Sequence, residues 1–182
     1  MSLIVPSKVF LTRGLGRHKE RLVSFELALR EAGIAPFNLV RVSSIFPPHC
    51  QVVSKKEGLK LLQPGQILFV VLSESETNEP GRFVSASIGM AIPEDPTCYG
   101  YLAEHEGGGP TEKEAGLHTE YLAAEMLATK MGETLAEHGR GPGRGGYRIS
   151  NGMSLNTHSI SQTATGEEGS WTTALAAAVL IA

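Results

Sequence analysis

The order of apolar and polar positions along the chain predicts a protein built mainly from strands. Apolar residues alternate with polar or small ones, as in strands that bury one face, over residues 38–42, 83–92 and 147–163, and residues 8–12 and 98–105 are also predicted to be strands. Residues 67–72 are continuously apolar, as expected of a strand covered on both faces, and residues 171–181 form a last apolar strand. Glycines in residues 13–18 and polar side chains in residues 73–81 predict loops.

Two segments show the spacing of helices. Apolar side chains recur at helical intervals between residues 19 and 32, and Gly33 is well placed to end that helix. A longer helix is predicted from a capping box at Thr111 to about residue 138. The Gly- and Arg-rich residues 139–147 break it and are interpreted as a surface loop.

The balance of elements favours one fold class. Strands outnumber helices, and turns join many adjacent strands, so we predict an α+β sandwich with mainly antiparallel sheets rather than a parallel doubly wound sheet. A length of 182 residues predicts one domain, residues 1–182, with a substantial core.

Composition narrows the function classes. Hydrophobic residues make up 41% of the chain and charged residues 19%, which are values of globular proteins. A formal net charge of −3 argues against a general nucleic-acid-binding surface. No apolar stretch reaches membrane-spanning length, and no secretion signal is recognisable. A cytoplasmic protein without a membrane partner is therefore expected.

The metal-ligating and redox-active residues show no functional spacing. Cys50 and Cys98 lie far apart and form no CxxC motif, so reduced thiols are the simplest interpretation. The six histidines form no HExxH motif or other recognisable ligand pattern. No metal site is predicted.

Two serines, Ser43 and Ser44, end the predicted strand 38–42, and Pro47-Pro48 prevents its continuation. Small hydroxyl residues often end strands, so this observation alone needs no special explanation. The alternative is self-cleavage, in which Ser44 attacks the carbonyl of Ser43 and converts the amide to an ester. β-Elimination then splits the chain and leaves a pyruvoyl group on residue 44. A weak serine nucleophile needs held geometry and a stabilised oxyanion, which a braced strand end could supply.

Residues 38–48, with the sequence NLVRVSSIFPP, closely resemble the self-cleavage site of the pyruvoyl-dependent arginine decarboxylase family. The similarity includes ELALREAGI at residues 26–34, VSASIGMAIPED at 84–95 and GYLAEHEG at 100–107. These motifs occur in the order found in the family. Together the resemblance covers most of residues 5–138 and, more loosely, the apolar C-terminus.

The resemblance implies a four-layer αββα sandwich and a decarboxylase that converts L-arginine to agmatine and CO2. Self-cleavage would yield a β chain of residues 1–43 and an α chain of residues 44–182. The pyruvoyl group from Ser44 would form a Schiff base with the substrate amine and accept electrons. The resemblance implies no pyridoxal phosphate and no metal. It also implies a homotrimer or hexamer with active sites between subunits.

The resemblance assigns four residues to the cleavage site and its surroundings. Ser44 is the source of the catalytic group, and Ser43 becomes the new C-terminus beside the substrate. Asn38 matches a position that holds the cleavage segment and the substrate, although a strand-edge turn residue is the interpretation without the family. Ile45, within the same motif, is assigned to substrate binding.

Two carboxylates, Glu104 and Glu26, complete the predicted site. Glu104 aligns with the glutamate that protonates the substrate carbanion, and Glu106 points to the same face of a strand. Glu26 aligns with an aspartate that binds the substrate guanidinium in the family. Its longer arm suits a shorter cation, so the substrate is left open at this position.

Two alternatives to arginine decarboxylation therefore stay open. One is a decarboxylase of another amino acid, such as lysine, ornithine or histidine. The other is an unprocessed, non-catalytic binding or assembly subunit on the same scaffold. A role in polyamine synthesis and one in acid resistance are equally compatible with the sequence.

Overall fold

The computed structural model describes residues 4–107, 111–136 and 146–182. It contains ten strands and three helices in the described part of the chain. In chain order they are β1 (Lys8–His18), α1 (Arg21–Ala32), β2 (Asn38–Arg41), β3 (Ile45–Phe46), β4 (Gln51–Val52), α2 (Lys55–Lys60), β5 (Ile67–Thr77), β6 (Phe83–Pro93), β7 (Gly100–Glu106), α3 (Glu112–Lys130), β8 (Gly146–Arg148), β9 (Ser154–Thr165) and β10 (Trp171–Ile181).

The strands form two five-stranded sheets. Sheet A has the order β2-β5-β10-β1-β4, and sheet B has the order β3-β7-β6-β9-β8. Neighbouring strands are antiparallel except in the β2–β5 and β1–β4 pairs, which are parallel. The longest strands of sheet A lie at its centre, where β1 pairs with β10 along its whole length. The prediction of mainly antiparallel sheets is confirmed.

Three apolar clusters separate four layers. The first, which includes Phe10, Leu29 and Val70, lies between α1 and sheet A. The second lies between the two sheets and includes Ile88 and Leu102. The third packs α3 against the outer face of sheet B. Burial of alternate positions on both sheets thus builds the predicted αββα sandwich.

The predicted loop at residues 13–18 is wrong, because β1 continues to His18. Gly14 and Gly16 belong to the strand and lie directly beneath α1. A Cβ atom at Gly16 would approach the carbonyl oxygen of Ser24 to 1.8 Å, and one at Gly14 would approach that of Ala28 to 2.0 Å. These glycines permit close packing of the helix on the strand rather than a turn.

Three other predicted boundaries are also wrong. Residues 73–77 continue β5 instead of starting a loop, because they pair with β10 although every one of them is polar. The predicted strand 147–163 is two strands, β8 and β9, separated by a turn. Helix α3 ends at Lys130, with its C-cap at Met131. Residues 137–145, which include most of the Gly- and Arg-rich segment, lie outside the described residues.

The helix signals at other positions are confirmed. Gly33 ends α1 with a φ of 79°, the left-handed conformation that glycine adopts readily. The hydroxyl of Thr111 accepts a hydrogen bond from the amide of Glu114 at 3.2 Å and caps α3, but the Glu114 carboxylate accepts from this hydroxyl and not from the Thr111 amide, so the predicted capping box is only half formed. Helix α2 is short, and its N-cap Ser54 forms a full capping box with Glu57.

Candidate active site

The two serines lie where the chain passes from sheet A to sheet B. The amide of Val42 donates to the carbonyl of Val70 in β5 at 2.9 Å, which continues the β2–β5 pairing by one residue. The carbonyl of Ser44 accepts from the amide of Leu102 in β7 at 2.7 Å. Between these two bonds the backbone belongs to neither sheet. Ser43 is therefore the single residue that spans the change.

Neither serine hydroxyl takes part in a hydrogen bond within the described residues. Ser44 is partly buried and Ser43 is exposed. The Ser44 hydroxyl is therefore free, and the bond from Leu102 fixes the residue through its own carbonyl, on the far side of its Cα from the Ser43–Ser44 peptide bond. The structure thus leaves Ser44 Oγ available for reaction with the adjacent peptide bond.

The segment after the serines is held on several sides. Phe46 and Pro47 are buried, and Phe46 packs in the cluster between the sheets. His49 has a φ of 59°, which is uncommon for a residue with a side chain, and its amide donates to the carbonyl of Pro96 at 2.8 Å. Cys50 closes the same turn on Pro47. These contacts fix the exit path that the Pro pair predicts.

An apolar cavity of about 400 Å³ opens beside the serine pair. Ser43 and Ile45 line it together with Val42, Phe69 and Leu180. Its volume lies in the usual range of small-molecule sites. Ile45, which the family resemblance assigns to substrate binding, thus lies in the wall of this cavity, while the carboxylates lie outside its lining.

Glu104 lies in β7, the same strand as Leu102, whose amide holds the carbonyl of Ser44. It is two residues beyond Leu102 in β7, roughly 7 Å along a strand. Its register partner is Ile88, whose side chain lies in the core between the sheets, so Glu104 points to that side as well. The carboxylate is exposed at the end of this core. Within one chain, Glu104 is therefore brought to the serine pair.

His105 lies between Glu104 and Glu106 in β7, and its side chain points to the opposite face of the strand. His105 faces α3, where its ring meets that of His118 edge-on with centroids 4.8 Å apart. Burial, and to a lesser degree the neighbouring His118, lowers the pKa of His105. The ring is therefore neutral at neutral pH and is separated by its strand from the face that carries Glu104 and Glu106.

The structure does not bring Asn38 to the serine pair within one chain. Asn38 starts β2, and its side-chain amide donates to the carbonyl of Gly65 at 2.9 Å. Five residues of extended chain, roughly 17 Å, separate it from Ser43. Inside its own protomer, Asn38 braces the turn before β5.

Glu26 also lies elsewhere in the protomer. It is a half-buried residue of α1 and pairs with Arg30 at 3.1 Å. Helix α1 packs on the outer face of sheet A, opposite to the core that Glu104 faces. Sheet A therefore separates the two carboxylates that the sequence assigns to one substrate.

The two cysteines line a second cavity of about 380 Å³ with His49 and Pro96. Both are free thiols. Burial raises the pKa of Cys50 to about 11, so it is protonated at neutral pH. Within the described ranges, no group of three or more His, Cys, Asp or Glu side chains could hold a metal ion. No helix among the described residues is long and apolar enough to span a membrane.

One anchor of the site has no sequence signal. The amide of Leu102 that holds Ser44 is a backbone group, and any non-proline residue could provide it. Only the pairing of β3 with β7 reveals it.

Comparisons with known proteins agree on one family. The family described as pyruvoyl-dependent arginine decarboxylase matches residues 8–182. A pyruvoyl-dependent arginine decarboxylase of Thermoplasma volcanium is 52% identical over 182 residues, which cover 100% of this chain and 99% of the relative. One of Nitrosopumilus maritimus is 49% identical and covers 98% of both chains. A probable pyruvoyl-dependent arginine decarboxylase of Chlorobium limicola is 52% identical over 97% of this chain and 98% of its own.

Proposed function

The chain belongs to the pyruvoyl-dependent arginine decarboxylase family, and we propose that it cleaves itself before Ser44 and decarboxylates L-arginine to agmatine. The main observation in support is the position of Ser43 and Ser44 between the two sheets, with a free Ser44 hydroxyl and a restrained Ser44 carbonyl. A pyruvoyl group at residue 44 fits this position. Its main-chain carbonyl would keep the bond from Leu102, and its neighbour Ser43 borders the cavity.

Cleavage follows from the residues present. Attack of Ser44 Oγ on the Ser43 carbonyl carbon breaks the C–N bond and forms a C–O ester bond. Loss of the Cα proton of residue 44 then expels the Ser43 carboxylate and leaves a double bond between Cα and Cβ. Addition of water releases the nitrogen as ammonia and leaves a ketone, so the atoms balance. The products are the proposed chains 1–43 and 44–182.

The architecture tolerates this break. Strand β2 before the bond belongs to sheet A, and β3 after it belongs to sheet B, so no strand is interrupted. In the chain 1–43, β1 keeps its full pairing with β10 of the chain 44–182. The two products are therefore expected to remain associated.

The pyruvoyl group supplies a carbonyl that condenses with the substrate amine and accepts the electrons left when carbon dioxide departs. In our proposal, Leu102 holds the carbonyl of residue 44 through its amide. Glu104 donates a proton to the substrate Cα, for which it lies on the correct face of β7. Ile45 forms part of the apolar wall, and the new carboxylate of Ser43 lies at its edge.

We propose that Glu26 and Asn38 act on a substrate held by another copy of the chain. Sheet A lies between Glu26 and Glu104 in one protomer, so both can reach one arginine only across an interface. A carboxylate on α1 is a suitable partner for a guanidinium. A trimer or a hexamer with sites between subunits satisfies this requirement.

Free Cys50 and Cys98 support a reducing compartment, which we propose is the cytoplasm.

Mass spectrometry of the denatured protein tests the cleavage directly. We expect two chains, residues 1–43 and residues 44–182, the second without a free amine. Ser44→Ala should give one chain and no release of carbon dioxide from arginine, because the nucleophile is missing. Ser43→Ala is the matched control and should still be cut, since the attacked carbonyl belongs to the main chain.

An intact 182-residue species in protein that releases carbon dioxide would contradict the mechanism. If the protein forms the two chains but decarboxylates lysine, ornithine or histidine and not arginine, the proposed cleavage is supported and the proposed substrate is wrong.

A further inference from the structure

Ser73 is a buried serine at the point where the apolar run of β5 ends. It is 1% exposed and starts the all-polar part of the strand, residues 73–77. Strand β5 belongs to sheet A and is adjacent to β2, the strand that leads to the cleavage site. Most buried hydroxyls in proteins have a hydrogen-bond partner, and the Ser73 hydroxyl has its partners in the other sheet.

The hydroxyl of Ser73 contacts two strands of sheet B. It donates to the carbonyl of His105 in β7 at 2.8 Å and accepts from the amide of Ser87 in β6 at 3.2 Å. Ser87 and His105 are register partners in the β6–β7 pair. A single side chain of sheet A therefore attaches to both members of one backbone pair in sheet B.

These bonds act on the residue next to Glu104. The carbonyl of His105 is one peptide unit beyond Glu104, and the amide of Leu102, two residues before Glu104, holds the carbonyl of Ser44. The backbone of Glu104 thus lies between two anchors. One joins β7 to the cleavage site, and the other joins β7 to β5.

Strand β5 also holds the other side of the site. The carbonyl of Val70, three residues before Ser73, accepts a hydrogen bond from the amide of Val42, which directly precedes the serine pair. Strand β5 therefore positions two parts of the site. Val70 holds the segment just before residue 44, and Ser73 holds β7, the strand that contains Glu104. The separation between the reacting group and the proton donor depends on both bonds.

We propose that Ser73 is a positioning residue for the decarboxylation, which sets the distance between the Glu104 carboxyl group and residue 44. The proposal rests on the function proposed above. Ser73 touches no reacting atom and acts only through the backbone of β7. Its loss should impair proton transfer from Glu104 without changing the groups that bind the substrate.

The test compares Ser73→Ala with the parent enzyme. Misplacement of a reacting group by about 1 Å can cost about 100-fold in rate, so we expect kcat to fall about 10- to 100-fold with KM nearly unchanged. Mass spectrometry should still show both chains, because Ser44 keeps its anchor. Ser75→Ala is the matched control, since Ser75 lies two residues further on the same face of β5 and its hydroxyl makes no hydrogen bond among the described residues.

A double-mutant cycle separates positioning from a general structural role. If Ser73 acts through Glu104, Ser73→Ala should lower the residual rate of Glu104→Gln no further. A general loss of structure would lower the rate in both backgrounds.

Three results would overturn the proposal: a kcat of Ser73→Ala equal to that of the parent, an additive loss in the Glu104→Gln background, and a variant that remains one chain. In each case the parent enzyme is still active, so the result contradicts the role of Ser73 and not the proposed function. A parent that does not decarboxylate arginine would instead contradict the proposed function, and the role of Ser73 in that reaction with it.

Discussion

The end of the core between the sheets and the outer surface of α1 contain different parts of the predicted site. The first, which we call the inter-sheet site, contains Ser43, Ser44, Ile45 and Glu104. Backbone bonds from β5 and β7 hold it together. The second contains Glu26, whose partner in its own chain is Arg30. The inter-sheet site is assembled within one protomer, whereas the α1 surface contributes Glu26 alone.

Under the proposed function, this difference separates the chemistry from the recognition of the substrate. Cleavage and proton donation require groups held at short range, and the short strand β3 and strand β7 provide them. Recognition of a guanidinium requires only a carboxylate at the correct distance. A second copy of the chain can supply it, so the two functions need not share one protomer.

A substitution at the inter-sheet site is expected to have the strongest effect on the reaction. Glu104→Gln should lower kcat about 10²- to 10⁴-fold, the usual contribution of a positioned acid, while the chain is still cut. Measurement of carbon dioxide release alongside mass spectrometry checks both points. Glu106→Gln is the control on the same face and should lose less. Equal losses in the two variants would remove the special role of Glu104.

A second prediction concerns how firmly α1 is fixed on sheet A. Gly16→Ala would push a methyl group into the backbone of Ser24 and should destabilise the fold by at least about 3 kcal/mol. Urea unfolding measures this loss. Arg17→Ala, at the next and exposed position of β1, loses only a surface ion pair with Glu167 and should cost less than about 1 kcal/mol. Similar midpoints for the two variants would show that α1 can shift on the strand.

The smallest effect is expected on the α1 surface. Glu26→Gln should raise the KM for arginine about 10- to 100-fold, because a hydrogen bond to a charged group is lost, and should leave kcat less affected. Steady-state kinetics measure both. Glu20→Gln, just before the same helix, is the control and should behave as the parent.

Mixing the variants tests whether Glu26 acts across an interface. At arginine concentrations far below the KM of Glu26→Gln, oligomers reassembled from Glu26→Gln and Glu104→Gln chains should regain activity, because some sites then combine an intact Glu26 with an intact Glu104 from different copies. No gain on mixing would contradict the assignment of Glu26 to a substrate held by another copy.

Local patterns predicted the parts of the fold that depend on neighbours in sequence. Alternation identified β6, the apolar run identified the first half of β5, and Gly33 marked the end of α1. The strand conformation of residues 73–77 was not predicted, because a strand made of polar residues shows no alternation of apolar and polar positions. The strand conformation of residues 13–18 was not predicted, because their glycines allow α1 to pack closely on the strand, and that contact joins residues that are not adjacent in sequence.

Residue patterns alone predict an α+β sandwich, and the resemblance to the family adds the four αββα layers and the proposed self-cleavage at the serine pair. The folded structure is needed to show that Glu104 shares a region with Ser44 while Glu26 and Asn38 do not, and that Ser73 joins the two sheets beside Glu104. The physical reason is that strand pairing and sheet packing join residues far apart in the chain. The bonds that result involve backbone atoms, which carry no signature in the sequence.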